Sequence, residues 1–470
     1  MQRIIYLFLL FVLINCIGCK TDTVNIVKEV RLSLHNNNEL KIQLDITTTK
    51  NAAVYAEYWA DSSRKDVFKA AAVFPTGLTH RIVLCNIIPE TNYSYRLITN
   101  QNGKMDSGKI YNFKSVALPI WLQDQFKYSC NQPELLPQNF KDGFMLLNKK
   151  ETPGIAYMVD YKGRLRWYQV IENTGLKVVH FTKDKTILTI LGRNDEPTSY
   201  GSEIMEFNML GDTLIHLKKG QSDFVNTIHH EILKNDKRQL VTIFEDKKIM
   251  DLSSVGGSKK DTINSDGIIV LDSTGKKIWQ WSVFDVMDPL KDPNILTTKS
   301  DWTHANSLSY DLDGNYIISF YNTGQIWKVD ASTGRLIWKY GKGGDFKIPA
   351  DGGFSESHAV HINAYGNLMF FDNGVPKEQS QVFAMKLDEQ NKTAETKVHI
   401  KLPPLIYNAR MGSAYMIDEN NILCCCSKKH IAVLVNKEGK LTWTLDVAVP
   451  PYRVIFLNKD QLAPWLQPLF

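Results

Sequence analysis

The sequence lacks a strong net charge, a second long apolar run and any motif that cradles a phosphate group. Its 470 residues carry a formal charge of only +5, which disfavours binding to nucleic acid through bulk charge. No Gly-x-Ser-x-Gly elbow occurs and no glycine-rich loop opens a helix, so a triad hydrolase and a nucleotide-dependent enzyme are both disfavoured. With 43% apolar residues the chain is too hydrophobic to be disordered.

Cysteine is also scarce, and its placement suggests neither disulfides nor zinc. Cys85, Cys130 and the run 424–426 form no obvious disulfide framework and have no zinc-ligand spacing. Adjacent cysteines on one strand point to opposite faces, so we predict that the run is a buried strand. We expect no metal and no cofactor.

Residues 1–19 have the features of an export signal. Arg3 gives a basic start, an apolar run follows from Ile4 to Ile14, and the run is too short to span a membrane stably. Gly18-Cys19 resembles the bacterial lipobox, in which the cysteine is lipidated and becomes the mature N-terminus. We therefore expect a cell-envelope lipoprotein, on the periplasmic side or at the cell surface, anchored to the membrane through Cys19.

The next hundred residues have the pattern of a small β-sandwich. Apolar and polar residues alternate over 20–118, with turn residues between the strands and no helical periodicity. The segment from Ile88 to Tyr95 resembles the corner of a fibronectin type III domain, where a tyrosine hydroxyl binds upstream backbone. Residues 119–137 are predicted to be a linker.

A repeat begins at about residue 138 and predicts a β-propeller. Each copy has a turn glycine followed four residues later by tryptophan, and Gly211 marks a degenerate copy without tryptophan. Successive glycines lie 48, 64, 59 and 105 residues apart, so one unmarked unit is expected in the last gap. The total of six strand-only units predicts an all-β, six-bladed propeller over 138–470, in which Ser253 to Ser265 form a surface loop. The clear copies are Gly163/Trp167, Gly275/Trp279, Gly334/Trp338 and Gly439/Trp443.

Three histidines fall at one phase of this repeat, where the loops entering the innermost strands meet. His230 lies ten residues before Leu240, and His358 lies ten residues before Leu368. His304 precedes a turn that is two residues longer. Imidazole at such a site can be a nucleophile, a general acid or base, or a metal ligand. Each histidine can also simply bind a neighbouring backbone carbonyl.

The residues around these histidines resemble one family. Asp301-Trp302-x-His304-x-Asn306-Ser307, His358 with Gly366-Asn367-Leu368, and Pro451-Tyr452-Arg453 look like motifs of the bacterial aryl-sulfate sulfotransferases, in the same order. The resemblance covers about residues 138–460. It implies a six-bladed propeller behind a small β-sandwich. It also implies transfer of a sulfuryl group from a phenolic sulfate ester to a phenol through a sulfohistidine, without phosphoadenosine phosphosulfate.

The same resemblance assigns roles to residues of this chain. His358 corresponds to the nucleophile, while His230, His304 and Asn306 correspond to groups that hold the sulfuryl or phenolic oxygens. The chain departs from the family where an arginine follows the Asn306 loop, because Tyr321 occupies that place. A bidentate clamp is then lost unless another cation supplies it. The residues considered for substrate binding are Tyr321, Arg453, Trp302 and Tyr415, with Arg410 as a second candidate cation.

Two other functions compete with this one. A non-catalytic envelope propeller that binds a glycan, a phenolic compound or a protein would explain the loss of the arginine at Tyr321. A quinone-type dehydrogenase also carries Asp-x-x-Thr-Gly-x-x-x-Trp repeats, as in Asp330 to Trp338, but normally has eight blades and a calcium site. The expected partners are an aromatic sulfate donor, a phenolic acceptor and the membrane, with no nucleic acid; a homodimer is compatible with the sequence.

Overall fold

The computed structural model describes residues 26–63, 66–72 and 76–462. Strands dominate this part of the chain, which confirms the all-β class. The only α-helices among the described residues are α1 (Gln138–Asp142), α2 (Ile295–Thr298) and α3 (Lys459–Leu462). No helix in the described ranges has the length and apolarity needed to cross a membrane. The predicted signal and Cys19 lie outside the described residues.

Six strands form the N-terminal β-structure. The long strand β2 pairs with β1 and β4 along its first half and with β3 and β5 along its second, and β6 pairs with β5. The Tyr93 hydroxyl accepts a hydrogen bond of 2.9 Å from the Ile88 N–H, as predicted for that corner. The strands are β1 (Val27–His35), β2 (Asn38–Ala60), β3 (Phe68–Ala71), β4 (Gly77–Leu84), β5 (Asn92–Gln101) and β6 (Lys104–Lys114).

The rest of the chain forms 26 further strands, almost all in antiparallel hairpins. They are β7 (Phe126–Ser129), β8 (Phe144–Lys149), β9 (Gly154–Val159), β10 (Leu165–Ile171), β11 (Gly175–Phe181), β12 (Ile187–Gly192), β13 (Tyr200–Gly201), β14 (Glu203–Phe207), β15 (Thr213–Lys218), β16 (Ile228–Lys234), β17 (Leu240–Met250), β18 (Asp261–Leu271), β19 (Lys277–Ser282), β20 (Ala305–Tyr310), β21 (Tyr316–Phe320), β22 (Gln325–Val329), β23 (Leu336–Gly341), β24 (Ser357–Ile362), β25 (Leu368–Asp372), β26 (Gln381–Asp388), β27 (Thr393–Lys401), β28 (Ser413–Met416), β29 (Asn421–Cys426), β30 (Ile431–Asn436), β31 (Leu441–Val447) and β32 (Ile455–Leu457).

These strands make six sheets of four or five strands. Sheet 1 is β32-β8-β9-β10, so β32, from the end of the chain, pairs with β8 and completes a sheet of three early strands. Sheet 2 is β11-β12-β14-β15, and sheet 3 is β16-β17-β18-β19 with β13 beside β16. Sheets 4, 5 and 6 are β20 to β23, β24 to β27, and β28 to β31 with β7 at the outer edge. We call β32, β11, β16, β20, β24 and β28 the first strands. Contacts run from β11 to β16, β20, β24 and β28 in turn, and β28 contacts β32 of sheet 1. Since β11 also contacts β8 of sheet 1, the sheets form a closed ring.

Every pair of neighbouring sheets encloses a hydrophobic core. The six clusters join sheets 1 and 2, 2 and 3, 3 and 4, 4 and 5, 5 and 6, and 6 and 1. Each sheet therefore buries both of its faces, which is why the strands are apolar throughout and depend on their neighbours for stability. Trp167, Trp338 and Trp443 of the sequence repeat are buried in these clusters, whereas Trp279 is half-buried. The buried strand predicted for the cysteine run is confirmed as β29.

The structure differs from two of the sequence predictions. The predicted linker 119–137 contains β7, which pairs with β31 and so belongs to sheet 6. The predicted loop from Ser253 to Ser265 is the tip of a long hairpin, since β17 and β18 stay paired from Leu240/Leu271 to Met250/Asp261. Both segments are rich in polar residues because they form exposed edges, and polarity alone does not distinguish an edge strand from a loop. The unmarked repeat unit corresponds to sheet 5.

The N-terminal β-structure packs directly against sheet 1. Asn38 donates a hydrogen bond of 2.9 Å to the Tyr168 carbonyl on β10. The buried Lys41 ammonium donates to Gln169 Oε1 at 3.0 Å and to the Leu210 carbonyl at 3.1 Å.

Candidate active site

Five of the six sheets present a charged, imidazole or amide side chain at one equivalent position, which we call the rim position, and sheet 6 has the hydroxyl of Ser413 there. In sheets 2, 3 and 4, the third residue of the second strand pairs with Val179, Ile232 and Leu308 of the first strand, respectively. The rim residue lies on the first strand, two positions before that partner. The registers of sheets 5 and 1 give the same position. The strand is bulged there in sheets 2 to 5, and bulges redirect side chains. The rim residues are Lys177, His230, Asn306, His358 and Arg453.

The rim positions correct one detail of the sequence prediction. In sheet 4 the residue equivalent to His230 and His358 is Asn306, because His304 precedes it by two residues. His304 nevertheless reaches the same cluster. Its backbone has the left-handed φ of 53°, and its ring centroid lies 5.3 Å from that of His230.

A chain of four aromatic rings connects sheets 3, 4 and 5. The Tyr321 ring lies 5.3 Å from the His304 ring and 5.7 Å from the His358 ring, between centroids. With the His230–His304 contact, the order is His230, His304, Tyr321, His358. The structure therefore brings the three predicted histidines together.

His358 is held as a neutral imidazole. Its side chain is recessed, with 4% exposure, and among the described residues its buried Nδ1 makes no well-aligned hydrogen bond, although Asn373 and the Glu356 backbone lie close enough to act on its pKa. Burial, together with the nearby His304 and Arg453, lowers the pKa of His358 to about 3. Because a neutral ring has an unprotonated nitrogen, His358 is suited to attack an electrophile at ordinary pH.

His304 has the opposite character. Its Nδ1 lies 2.6 Å from Asp301 Oδ2. Burial by itself would lower the pKa of His304, but the hydrogen bond and negative charge of Asp301 outweigh it, so the pKa is raised above 6.5. His304 can therefore carry a proton close to neutral His358.

His230 is linked to a carboxylate through His229. The two Nδ1 atoms lie 2.7 Å apart, and His229 Nε2 lies 3.2 Å from Asp266 Oδ1. The Asp266 carboxylate near Nε2 of His229 favours the tautomer that has its proton on Nε2. In that tautomer His229 Nδ1 accepts a hydrogen bond from His230 Nδ1. Burial, with the nearby histidines, holds the pKa of His230 well below its usual value. His230 is then neutral, with its Nε2 free to accept a proton.

Arg453 of sheet 1 contacts residues of sheets 3 and 4. Its Nη1 forms an ion pair with the Glu231 carboxylate, and its Nη2 donates to the Asn306 carbonyl at 3.0 Å. Asn306 is fully buried and donates from Nδ2 to the Ser357 carbonyl at 2.8 Å, while its Oδ1 has no hydrogen-bond partner. Both residues therefore position the rim strands on which the histidines lie.

Comparison with known proteins identifies the family of this chain. The family model for arylsulfotransferase (ASST) matches residues 131–442. The chain belongs to the arylsulfotransferase family. No curated protein matches it significantly.

Similar solved structures are distant from this arylsulfotransferase. A Bacteroides caccae protein of unknown function has 10% identity and a TM-score of 0.43, covering 67% of this chain and 99% of that chain. The Myceliophteria thermophila Cps50 (Swd1) β-propeller domain has 10% identity and a TM-score of 0.40, covering 67% and 84%. A Bacteroides ovatus auxiliary nutrient binding protein has 9% identity and a TM-score of 0.36, covering 92% and 96%.

The positive charge of Arg410 acts on Tyr321, the residue that the sequence comparison predicts to stand in place of an arginine. Burial raises the pKa of Tyr321, and the positive charge of Arg410 acts in the opposite direction. Arg410 also acts to lower the pKa of His304. The Arg410 side chain is exposed, and within the described ranges no side-chain hydrogen bond or ion pair occupies its guanidinium. Arg410 is thus available to an anion beside Tyr321.

Two aromatic residues predicted as substrate walls have different surroundings. Trp302 is 1% exposed in the core between sheets 3 and 4, and its Nε1 donates to Asp292 Oδ2 at 2.6 Å. That packing removes Trp302 from the opening. Tyr415 is half-buried on the first strand β28, with its ring 5.0 Å from that of His361.

The sequence interpretation assigned no role to Asp301, Asp266, His229 or Lys177. Asp301 stands three residues before His304, but that spacing alone does not reveal the hydrogen bond. Lys177 carried a usable signal, because it lies ten residues before Ile187, the same offset as His230 and His358. In the described residues no group of three or more His, Cys, Asp or Glu side chains could hold a metal ion.

Proposed function

We propose that this chain transfers a sulfuryl group from a phenolic sulfate ester to a phenol through a sulfohistidine on His358. The observation that carries the proposal is a buried, neutral His358 joined through the Tyr321 ring to a protonatable His304. A nucleophile needs the neutral form and a leaving phenolate needs a proton donor, and the two rings have opposite pKa shifts.

In the first half-reaction His358 attacks the sulfur of the donor. Its Nε2 is the nitrogen available for attack, because Nδ1 is sealed in the interior. The N–S bond forms while the bond from sulfur to the aryl oxygen breaks, and the aryl oxygen leaves with the electron pair. His304 supplies the proton to that oxygen, while the Tyr321 hydroxyl and Arg410 stabilise the sulfuryl oxygens.

In the second half-reaction a phenol takes the sulfuryl group. The neutral His230 accepts the phenolic proton, the phenol oxygen bonds to sulfur, and the N–S bond breaks with its electrons returning to His358. The proton then passes from His230 to the neighbouring His304, whose pKa is higher, and this restores the starting state. This role for His230 follows from its contact with His229 and differs from the hydrogen-bond donor implied by the family resemblance. No phosphoadenosine phosphosulfate, metal or other cofactor takes part.

The wider setting is part of the same proposal. The six sheets are the blades of a six-bladed propeller closed by β32, and the N-terminal strands form a fibronectin III-like sandwich. Residues 1–19 direct export, and lipidated Cys19 anchors the protein at the cell envelope, on the periplasmic side or at the surface.

Trapping the intermediate tests the proposal. Wild-type protein mixed with 4-nitrophenyl sulfate and no acceptor should gain one sulfuryl mass on the peptide containing His358. The His358→Ala variant should gain none, whereas His361→Ala, a matched change on the same strand, should still be labelled. Label on another residue would overturn the assignment of His358. No label on wild type and no release of nitrophenol would favour a non-catalytic binding propeller, for which Tyr321 in place of arginine is the supporting observation.

The pH dependence tests the role of His304. Donor cleavage should fail as pH drops towards about 3, where His358 takes up a proton. It should also decline as pH rises through the raised pKa of His304, where the leaving group loses its proton donor. In Asp301→Asn the burial of His304 prevails, so the alkaline limb of kcat/KM should move to lower pH. The control Asp288→Asn, in the loop before α2, should leave the profile unchanged; an unshifted alkaline limb in Asp301→Asn would contradict the role of His304.

A further inference from the structure

Two buried lysines lie on the side of the ring opposite the histidines. Sheets 3, 4 and 5 contribute His230, Asn306 and His358 at their rim positions, whereas sheet 2 contributes Lys177. Lys150 follows β8 of the neighbouring sheet 1. The Lys150 carbonyl packs so closely on Gly175 that an added Cβ there would lie 1.8 Å from it, so the two lysines are neighbours.

Lys177 has the rim geometry of His230. It is the unpaired residue of the bulge in β11, and Thr189 supports that bulge by donating to the Val178 carbonyl at 2.6 Å. Thr242 supports the His230 bulge in the same way, donating to the Glu231 carbonyl at 2.6 Å. Lys177 is 3% exposed, and its ammonium donates to the Arg193 carbonyl at 2.7 Å.

Lys150 has still fewer partners. It is 5% exposed, and among the described residues the one hydrogen bond of its ammonium goes to the thioether sulfur of Met411, at 3.4 Å. Burial lowers its pKa, and the positive charges of Lys428 and Lys177 act in the same direction against Glu151. Burial also lowers the pKa of Lys177, and this effect outweighs the opposing effect of the negative charges of Glu196, Glu151 and Asp195.

This pair contrasts with the other buried cations. Arg453 forms an ion pair with Glu231, and Lys328 has three carboxylates within 2.7 Å. Lys41, which has no carboxylate, donates to two oxygens. In the part of the chain that the structure describes, neither Lys150 nor Lys177 forms an ion pair, and Lys150 has no oxygen acceptor. An unpaired buried ammonium is costly unless an anion offsets it.

The lysine pair is connected to the histidine side through one loop. The Met411 that contacts Lys150 accepts a hydrogen bond at its carbonyl from Asn373 Nδ2, at 2.9 Å. Asn373 is fully buried and also interacts with His358. Met411 and Asn373 thus link the surroundings of Lys150 to those of His358.

We propose that Lys150 and Lys177 form a second anion subsite, which binds a carboxylate or sulfate substituent of a phenolic acceptor whose hydroxyl lies at the histidines. This inference rests on the proposed function and names the acceptor class, an aromatic ring with an anionic group remote from the hydroxyl. Like His358, the lysines are recessed, so the subsite excludes water around the ion pair and strengthens it.

Acceptor kinetics test the subsite. With 4-nitrophenyl sulfate as donor, 4-hydroxyphenylacetate and the uncharged 4-methylphenol provide phenols of similar acidity. We expect Lys150→Met and Lys177→Met to raise the KM for 4-hydroxyphenylacetate by at least about tenfold, the value of one charge-assisted hydrogen bond, and to leave 4-methylphenol unaffected. Lys437→Met, at an exposed turn between β30 and β31, is the matched control and should change neither. If neither lysine variant raised the KM for 4-hydroxyphenylacetate relative to wild type, the subsite would be overturned.

A binding readout separates this inference from the proposed function. The catalytically disabled His358→Ala protein should bind 4-hydroxyphenylacetate, and adding Lys150→Met should weaken that binding at least about tenfold. If wild type transfers nothing but this binding loss is seen, the proposed function fails and the subsite stands. If transfer occurs but the lysine variants change neither binding nor KM, the subsite fails and the proposed function stands. Normal labelling of His358 in the single lysine variants shows that they are folded.

Discussion

Replacing His358 with alanine is expected to abolish sulfuryl transfer, lowering kcat by about 10⁴-fold or more, because loss of a covalent nucleophile removes the whole two-step route. The KM for the donor should change little, since Tyr321, His304 and Arg410 remain. The measurement is release of nitrophenol from 4-nitrophenyl sulfate in the presence of excess phenol.

The pattern across the other histidines makes this prediction specific. His304→Gln and His230→Gln keep a hydrogen-bonding group but lose proton transfer, so each should cost about 10²- to 10⁴-fold. His304→Gln should slow labelling of His358 most for donors whose phenol is a poor leaving group. His230→Gln should instead slow transfer from His358 to the acceptor. If His358→Ala were no slower than these variants, His358 would not be the nucleophile.

Replacing Arg453 with methionine is expected to have the largest effect on stability. The change leaves the Glu231 carboxylate buried without its partner and removes the hydrogen bond to the Asn306 carbonyl. Breaking one side of a buried pair costs about 3–5 kcal/mol, so the free energy of unfolding in urea should fall by that amount. The Arg335→Met control, at an exposed turn, should stay within about 0.5 kcal/mol of wild type.

A double variant distinguishes charge from packing. In Arg453→Met with Glu231→Gln no charge is left buried, so part of the lost stability should return. If Glu231→Gln lowered the free energy of unfolding equally in wild type and in Arg453→Met, the two residues would not be energetically coupled. Transfer activity should fall in both variants, because the rim strands of sheets 1, 3 and 4 share this contact.

The repeat could be predicted from sequence because its signals are local. A turn glycine, an apolar strand and a tryptophan four residues later recur in the fourth strands of sheets 1, 3, 4 and 6, and Trp167 and Trp443 are buried where the repeat predicts. Burial of both faces of each sheet required apolar residues at nearly every strand position, and that pattern is visible in the chain itself. The polar edge strand β7 escaped prediction because an edge need not be apolar.

The site was predictable only in part. His230 and His358 share an offset of ten residues from the next strand, and this regular spacing located them correctly at the rim. His304 was assigned to the wrong phase because it lies twelve residues before Tyr316, whereas Asn306 keeps the offset of ten residues and is the rim residue of sheet 4. Trp302 was considered as a wall for an aromatic substrate, yet its ring packs in the core between sheets 3 and 4.

By itself the sequence determined the all-β class, the repeat, and the presence of histidines at one end of successive first strands. The tertiary structure alone decided the chemistry of each group. It places Asp301 against His304, links His230 through His229 to Asp266, and uses the last strand of the chain to bring Arg453 to Glu231. The physical reason is that strand patterning depends on neighbours along the chain, whereas pKa values and ion pairs depend on burial and on charges contributed by other sheets.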